Sequence, residues 1–250
     1  METISSSDDV TSQEKTALHI LKHLDAPLRK TDTPHKPLII ELFGDAKSGK
    51  DTQTQELDRW FRRRGFKVLV HQESAETKEI RTMSRSNTYL YEMCHFAYNF
   101  SNLLSATCNR DFHLIILNRG IVDTLVWLEW HKKRGTIPPA HIASASAFIE
   151  EGPWLQCLDS IFYLTCDLNT CLEREYHTSS KTQYGSRMNP EHLSLMQDCA
   201  NTVALRLMLQ FPTLPLLRRT TTHESIAETR DAILNFFINE IKQKAPFNAL

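Results

Sequence analysis

Residues Gly44-Asp45-Ala46-Lys47-Ser48-Gly49-Lys50-Asp51-Thr52 approximate the spacing Gly-x4-Gly-Lys-Ser/Thr. That spacing suits chemistry on phosphates. Small residues let consecutive backbone N–H groups curl around an oxyanion, and the lysine at the end reaches the group being moved. With only seven glycines in 250 residues, a chance match of this kind has a probability on the order of one in a hundred. Asp51 stands where a hydroxyl normally meets magnesium, and Thr52 follows at once. The Asp51 carboxylate either binds magnesium, directly or through water, or favours the positive end of a following helix by roughly 0.3 to 1 kcal/mol. Two further groups have suitable chemistry. Glu73 is a carboxylate able to accept a proton or orient a ligand, or else a solvated loop residue. Arg119 in Asn118-Arg119-Gly120-Ile121-Val122-Asp123 offers a fork for a phosphate or carboxylate.

These residues need elements to hold them. Pro34 and Pro37 precede the apolar run 38–43, which reads as a buried strand, and the phosphate-type loop follows it directly. Leu57, Trp60 and Phe61 lie on one face of a helix expected over 51–64, which ends in three arginines and stops at Gly65. Further strands are expected at 67–71, 113–117, 161–164 and, more weakly, 214–217. Helices are expected at 87–108, 121–133, 139–150, 169–176, 190–210 and 224–242. Strands alternating with helices imply an α/β, three-layer sandwich with a five-stranded parallel sheet. Glu73 and Asn118 then fall just past the carboxyl ends of strands, where such sheets bind ligands. Residues 1–36 read as an N-terminal extension with one amphipathic helix, capped at Thr11-x-x-Glu14 and carrying Ala17, Ile20, Leu21 and Leu24. Residues 37–250 form the main domain.

Composition narrows the classes. The chain is 41% hydrophobic and 24% charged, which suits a globular domain and excludes fibrous and low-complexity classes. A formal charge of -1 provides no bulk attraction for nucleic acid or an anionic membrane, so any anion must be bound locally. Six cysteines without a Cys-x-x-Cys pair suggest reduced thiols. No stretch approaches a membrane span or a signal peptide, and the expectation is a soluble, cytoplasmic protein.

On the loop, its strand and helix, and the later elements, the sequence resembles the P-loop nucleoside and nucleotide kinases. The likeness is greatest to the thymidylate kinase-like group and its deoxynucleoside kinase relatives, and it runs in order from 38 to about 241. Gly49-Lys50-Asp51-Thr52-Gln53 is similar to the Gly-Lys-Ser-Thr-Gln of thymidylate kinases. The resemblance implies ATP and magnesium as cofactors, a nucleoside or nucleoside monophosphate as the substrate, and the backbone of 44–50 around the donor phosphates. It implies Lys50 as the charge stabiliser, Glu73 as base toward a sugar hydroxyl and Arg119 on the acceptor side. Asn118 replaces the family's carboxylate beside that Arg, so Asp51 is expected to supply the missing acid, with Thr52 and Asn118 as further magnesium contacts. The segment near 174–190 corresponds to a lid, with Arg174 and Arg187 as its main cations and Lys181 as a weaker one. Its simpler reading is a solvated loop between helices.

Several signals have ordinary readings. The helix over 87–108 lacks the acceptor-phosphate Arg of thymidylate kinases and the base-reading Gln of deoxynucleoside kinases, and Tyr91, Phe96 and Tyr98 read more as core than as stacking platforms. Trp60, Phe61, Trp127 and Trp130 are expected in the core or an interface, which leaves a homodimer open. The basic runs at 62–64 and 131–134 suit helix ends. Two alternatives to a nucleotide kinase stand beside it: a nucleotide-binding sensor or scaffold without transfer activity, and a P-loop kinase for another small molecule.

Overall fold

The apolar runs pair into one all-parallel sheet in the order β2-β3-β1-β4-β5. The strands are β1 (Leu38–Gly44), β2 (Val68–His71), β3 (Leu114–Asn118), β4 (Ser160–Thr165) and β5 (Leu216–Thr220). The structure is a computed structural model describing residues 6–24, 36–178 and 189–244. Its helices are α1 (Ser6–Leu24), α2 (Lys50–Arg62), α3 (Lys78–Arg81), α4 (Thr88–Cys108), α5 (Ile121–Arg134), α6 (Pro139–Glu151), α7 (Leu168–Thr178), α8 (Pro190–Gln210) and α9 (Ile226–Gln243).

The central strands are buried on both faces, which is why they read as continuous apolar runs. Alternate residues serve opposite layers. Ile40, Leu42, Phe162 and Leu164 pack with Leu57 and Phe61 of α2, Phe237 and Ile241 of α9, and Ala17 and Ile20 of α1. Ile39, Phe43, Ile161 and Tyr163 pack with Leu103 of α4, Leu125 of α5, Ile149 of α6 and Val203 of α8. The expected three-layer α/β sandwich is therefore what the chain forms. After β1 the chain turns toward β2 on one side, and after β4 toward β5 on the other, so a crevice opens beyond their carboxyl ends.

Three local expectations need correction. The first helix begins at Ser6, placing Thr11 in its interior. A threonine costs a helix well under about 1 kcal/mol there, too little to set its start. Glu14 pairs with Arg64 of the turn after α2. The last strand lies at Leu216–Thr220, downstream of the apolar run 214–217, because pairing with β4 fixes its register. As an edge strand it tolerates exposed Arg218 and Thr220. A short 3-10 turn at Ser74–Glu76 and α3 occupy a segment where no element was expected.

Candidate active site

The loop after β1 is tied down from several sides. Gly44 has φ 130°, and a Cβ there would lie 2.0 Å from the Leu164 carbonyl oxygen, so only glycine lets β1 pass this close to β4. Ser48 Oγ donates to Asp45 O at 2.9 Å, Thr221 Oγ1 donates to Ser48 O at 2.9 Å, and Arg174 Nη1 donates to Lys47 O at 3.0 Å. Gly49, left-handed at φ 92°, leads into α2, whose N-terminal end faces the loop. Lys50 folds back into this cradle. Its ammonium donates to Gly44 O at 3.1 Å and to Asp45 O. Burial lowers its pKa to about 8, aided by Arg119 and opposed by Asp123, Glu73 and Asp45.

The loop side chains divide in role. Asp45 turns inward, where its carboxylate accepts from Thr165 Oγ1, from Cys166 N at 3.2 Å and from Gln197 Nε2 at 3.2 Å. Burial raises its pKa. Asp45 is therefore turned away from the cavity, whereas Ala46, Lys47, Ser48, Gly49, Lys50, Asp51 and Thr52 line it.

Asp51 and Asn118, both odd by the family pattern, meet. Asn118 Nδ2 donates to Asp51 Oδ1 at 2.7 Å. Asn118 Oδ1 is buried and has no hydrogen-bond partner. A magnesium ion takes oxygen donors, commonly one or two carboxylates with substrate phosphates and waters. The Asp51 carboxylate, the Thr52 hydroxyl and the orphaned Asn118 oxygen fit that donor set. Among the described residues no cluster of three His, Cys, Asp or Glu could hold a metal unaided.

Arg119 follows β3 in a left-handed conformation, φ 63°, with its N–H held by Leu42 O at 2.9 Å. Its guanidinium lies 3.0 Å from Glu73 and donates to Asp123 Oδ1 at 3.0 Å. Burial disfavours its charge, but Asp123, Glu73 and Asp51 outweigh burial and raise its pKa. Burial raises the Asp123 pKa, with Arg119 opposing. Beneath this group lies Glu41, fully buried in β1. Its Oε1 accepts from the backbone N–H groups of Gly120, Val122 and Asp123 at 2.8, 3.0 and 3.1 Å. The start of α5 is thus fixed by a carboxyl group from the neighbouring strand. A Cβ at position 120 would lie 2.6 Å from Glu41 Oε2, which explains glycine after Arg119.

Lys50, Asp51, Thr52, Glu73, Arg119 and Arg174 border one cavity of about 550 Å³, whose far wall is the β5 to α9 turn with Ile226. A second, smaller pocket of about 30 Å³ begins at Glu73 and continues past Tyr91, His95, Asn99 and Asp123 to Trp127. Tyr91 and Trp127 thus face a pocket, whereas Phe96 packs on Phe100 and Phe148. Arg187 and Lys181 lie outside the described residues. Sequence reasoning gave no role to Glu41 or Asp123. A lone acid inside the apolar run 38–43, and an acid four residues after Arg119, were the available signals.

Neither a protein-family model nor a curated protein matches the chain. Solved structures are similar. A deoxyadenosine kinase from M. mycoides with the products dCMP and a flexible dCDP bound has a TM-score of 0.61 at 13% identity, covering 79% of this chain and 97% of that one. The kinase with dATP bound gives 0.58 at 12%, covering 81% and 99%, and with dCTP bound 0.54 at 14%, covering 79% and 97%. The chain shares the P-loop kinase fold of these deoxynucleoside kinases.

Proposed function

We propose that the protein transfers the γ-phosphoryl group of magnesium ATP to a nucleoside or, as in the thymidylate kinase-like group, to a nucleoside monophosphate. The observation that carries this reading is the arrangement around one cavity: Lys50 in its phosphate cradle faces the Glu73 and Arg119 pair, and a second pocket opens at Glu73.

In this reading the backbone of 44–50 holds the donor phosphates, and the Lys50 ammonium exchanges the carbonyls of Gly44 and Asp45 for the oxygens of the phosphoryl group in flight. With a pKa of about 8 it carries its charge at neutral pH and has little water to lose. Asp51, Thr52 and Asn118 would hold magnesium, which supplies charge neutralisation on the phosphates. Glu73 takes the proton of the acceptor hydroxyl. Arg119, clamped by Asp123, orients Glu73 and meets negative charge on the acceptor side. Ser74 Oγ and His95 Nδ1, 2.6 Å apart, line the second pocket together. Catalysis of this kind is mainly positioning and electrostatic stabilisation.

A second reading, nucleotide binding without transfer, draws on Asn118, which brings no charge beside Arg119 and engages Asp51 instead. The deciding experiment incubates the protein with magnesium ATP and a panel of nucleosides, nucleoside monophosphates and sugars, scoring ADP release and phosphorylated product. A phosphorylated nucleoside or nucleotide supports transfer, a phosphorylated sugar redirects the acceptor class, and binding without product supports the second reading.

A further inference from the structure

We propose that Cys166 and Cys171 are a dithiol site that a hydroperoxide closes into a reversible disulfide, fastening the first turn of α7 to the end of β4 beneath the phosphate loop. Cys166 is the residue after β4, and Cys171 lies one turn into α7. Their sulfur atoms are 2.8 Å apart, and both residues are buried, at 3% and 0% exposure. A disulfide needs about 2.05 Å between sulfurs, so closure requires a shift of less than about 1 Å.

The surroundings tie this pair to the phosphate loop. Cys166 N donates to Asp45 Oδ2 at 3.2 Å, and its sulfur lies 3.9 Å from Ala46 O. Ala46 lines the large cavity, so a single residue separates the sulfur from a space that admits a water-sized oxidant. Gln197 of α8 donates to both Cys166 O at 2.7 Å and Asp45 Oδ2 at 3.2 Å. Arg174, one turn beyond Cys171, holds Lys47 O and Thr221 O. The bond from β4 to α7 thus sits where the loop, α7 and α8 join.

The two thiols are unequal. The hydrogen bond from Cys171 pushes the Cys166 thiol down, against burial and Asp45 and with help from Arg174 and Lys50. The same contact and burial push Cys171 up. Cys166, whose sulfur is the one set against Ala46 and the cavity, is the nucleophile. Its thiolate attacks one oxygen of hydrogen peroxide, the O–O bond breaks, and hydroxide leaves and takes a proton as water. The Cys171 sulfur then attacks the Cys166 sulfenic acid, its proton going to the departing hydroxyl as a second water. Two thiols lose two electrons in total, and one peroxide becomes two waters.

The test uses the full chain and needs no turnover, so failure of the phosphotransfer reading would leave it standing. Protein treated with hydrogen peroxide is alkylated and digested without reductant by a proteinase cutting before aspartate. This releases residues 159–166 and 167–197, each with one of the two cysteines. The expected product is these peptides joined, lighter than their sum by about 2 Da, separated by dithiothreitol and absent from Cys171→Ser. Cys171→Ala is the companion variant if serine at this buried site impairs folding. Amide hydrogen exchange in 45–50 should slow severalfold on oxidation. Peptides that stay separate while exposed Cys108 is oxidised, a Cys166 link to any other cysteine, or a joined pair with unchanged exchange in the loop would overturn the proposal.

Discussion

Replacing Glu41 with Gln isolates the group that organises the Arg119 turn. Burial raises the Glu41 carboxyl from its ordinary 4.5 to about 8, although three N–H bonds pull the other way. Between those values the folded protein keeps a proton that the unfolded chain has released. Stability therefore falls as pH rises through this window, by about 1.4 kcal/mol per unit. Over the interval from 4.5 to about 8, this amounts to roughly 5 kcal/mol at most. Glutamine holds no such proton in either state, yet its carbonyl can accept the same N–H groups. The wild-type stability minus that of Glu41→Gln, measured by urea unfolding from pH 5 to pH 9, should decline with pH and level off above about 8. Taking the difference removes the titrating groups that do not interact with Glu41, leaving its own proton and its coupling to Asp123. A difference that stays level within about 0.5 kcal/mol, or that climbs with pH, would refute the reasoning; a climb would mean that the N–H bonds outweigh burial and keep the carboxylate ionised.

Other perturbations test neighbouring parts. Asp51→Ser should abolish magnesium-dependent turnover, and adding Asn118→Asp should restore part of it, because either position can bring an acid to the shared oxygen site; an unchanged rate in the single variant, read by ADP release against magnesium concentration, excludes the exchange. Gly120→Ala forces a methyl to within 2.6 Å of Glu41 Oε2, and the strain should cost about 1 to 3 kcal/mol in chemical unfolding. Arg119→Lys keeps the charge but loses the two-sided grip on Glu73 and Asp123, so transfer should fall while magnesium ATP affinity, measured by calorimetry, stays near that of wild type.

Much of the fold is legible because the sheet is buried on both faces. Runs such as 38–43 and 161–164 can be little else than central strands in an alternating chain, and Gly-x4-Gly-Lys after the first of them marks the loop that leads into α2. The edge strand was harder to place, since exposed Arg218 and half-buried Arg219 carry no apolar signal and its register comes from β4. Of the candidate site, Lys50 and Arg119 could be singled out from residue type and from their places just after strands, and they border one cavity. The site was opaque where a group acts through long-range contact. Glu41 meets the amide of Gly120, 79 residues away, and spacing in sequence carries no trace of that. The Asp51 to Asn118 bond is the intermediate case: two departures from one family pattern, each uninformative alone, proved to be hydrogen-bonded partners.

The most direct measurement is transfer of label from γ-phosphate-labelled ATP, with magnesium, to nucleosides and nucleoside monophosphates, run in parallel on wild type and Lys50→Ala. Phosphoryl transfer by the proposed site predicts labelled product from wild type and a loss of about a hundredfold or more in the variant, with urea unfolding of the variant still cooperative. Full transfer by Lys50→Ala, or no labelled acceptor from wild type that binds magnesium ATP, would contradict it.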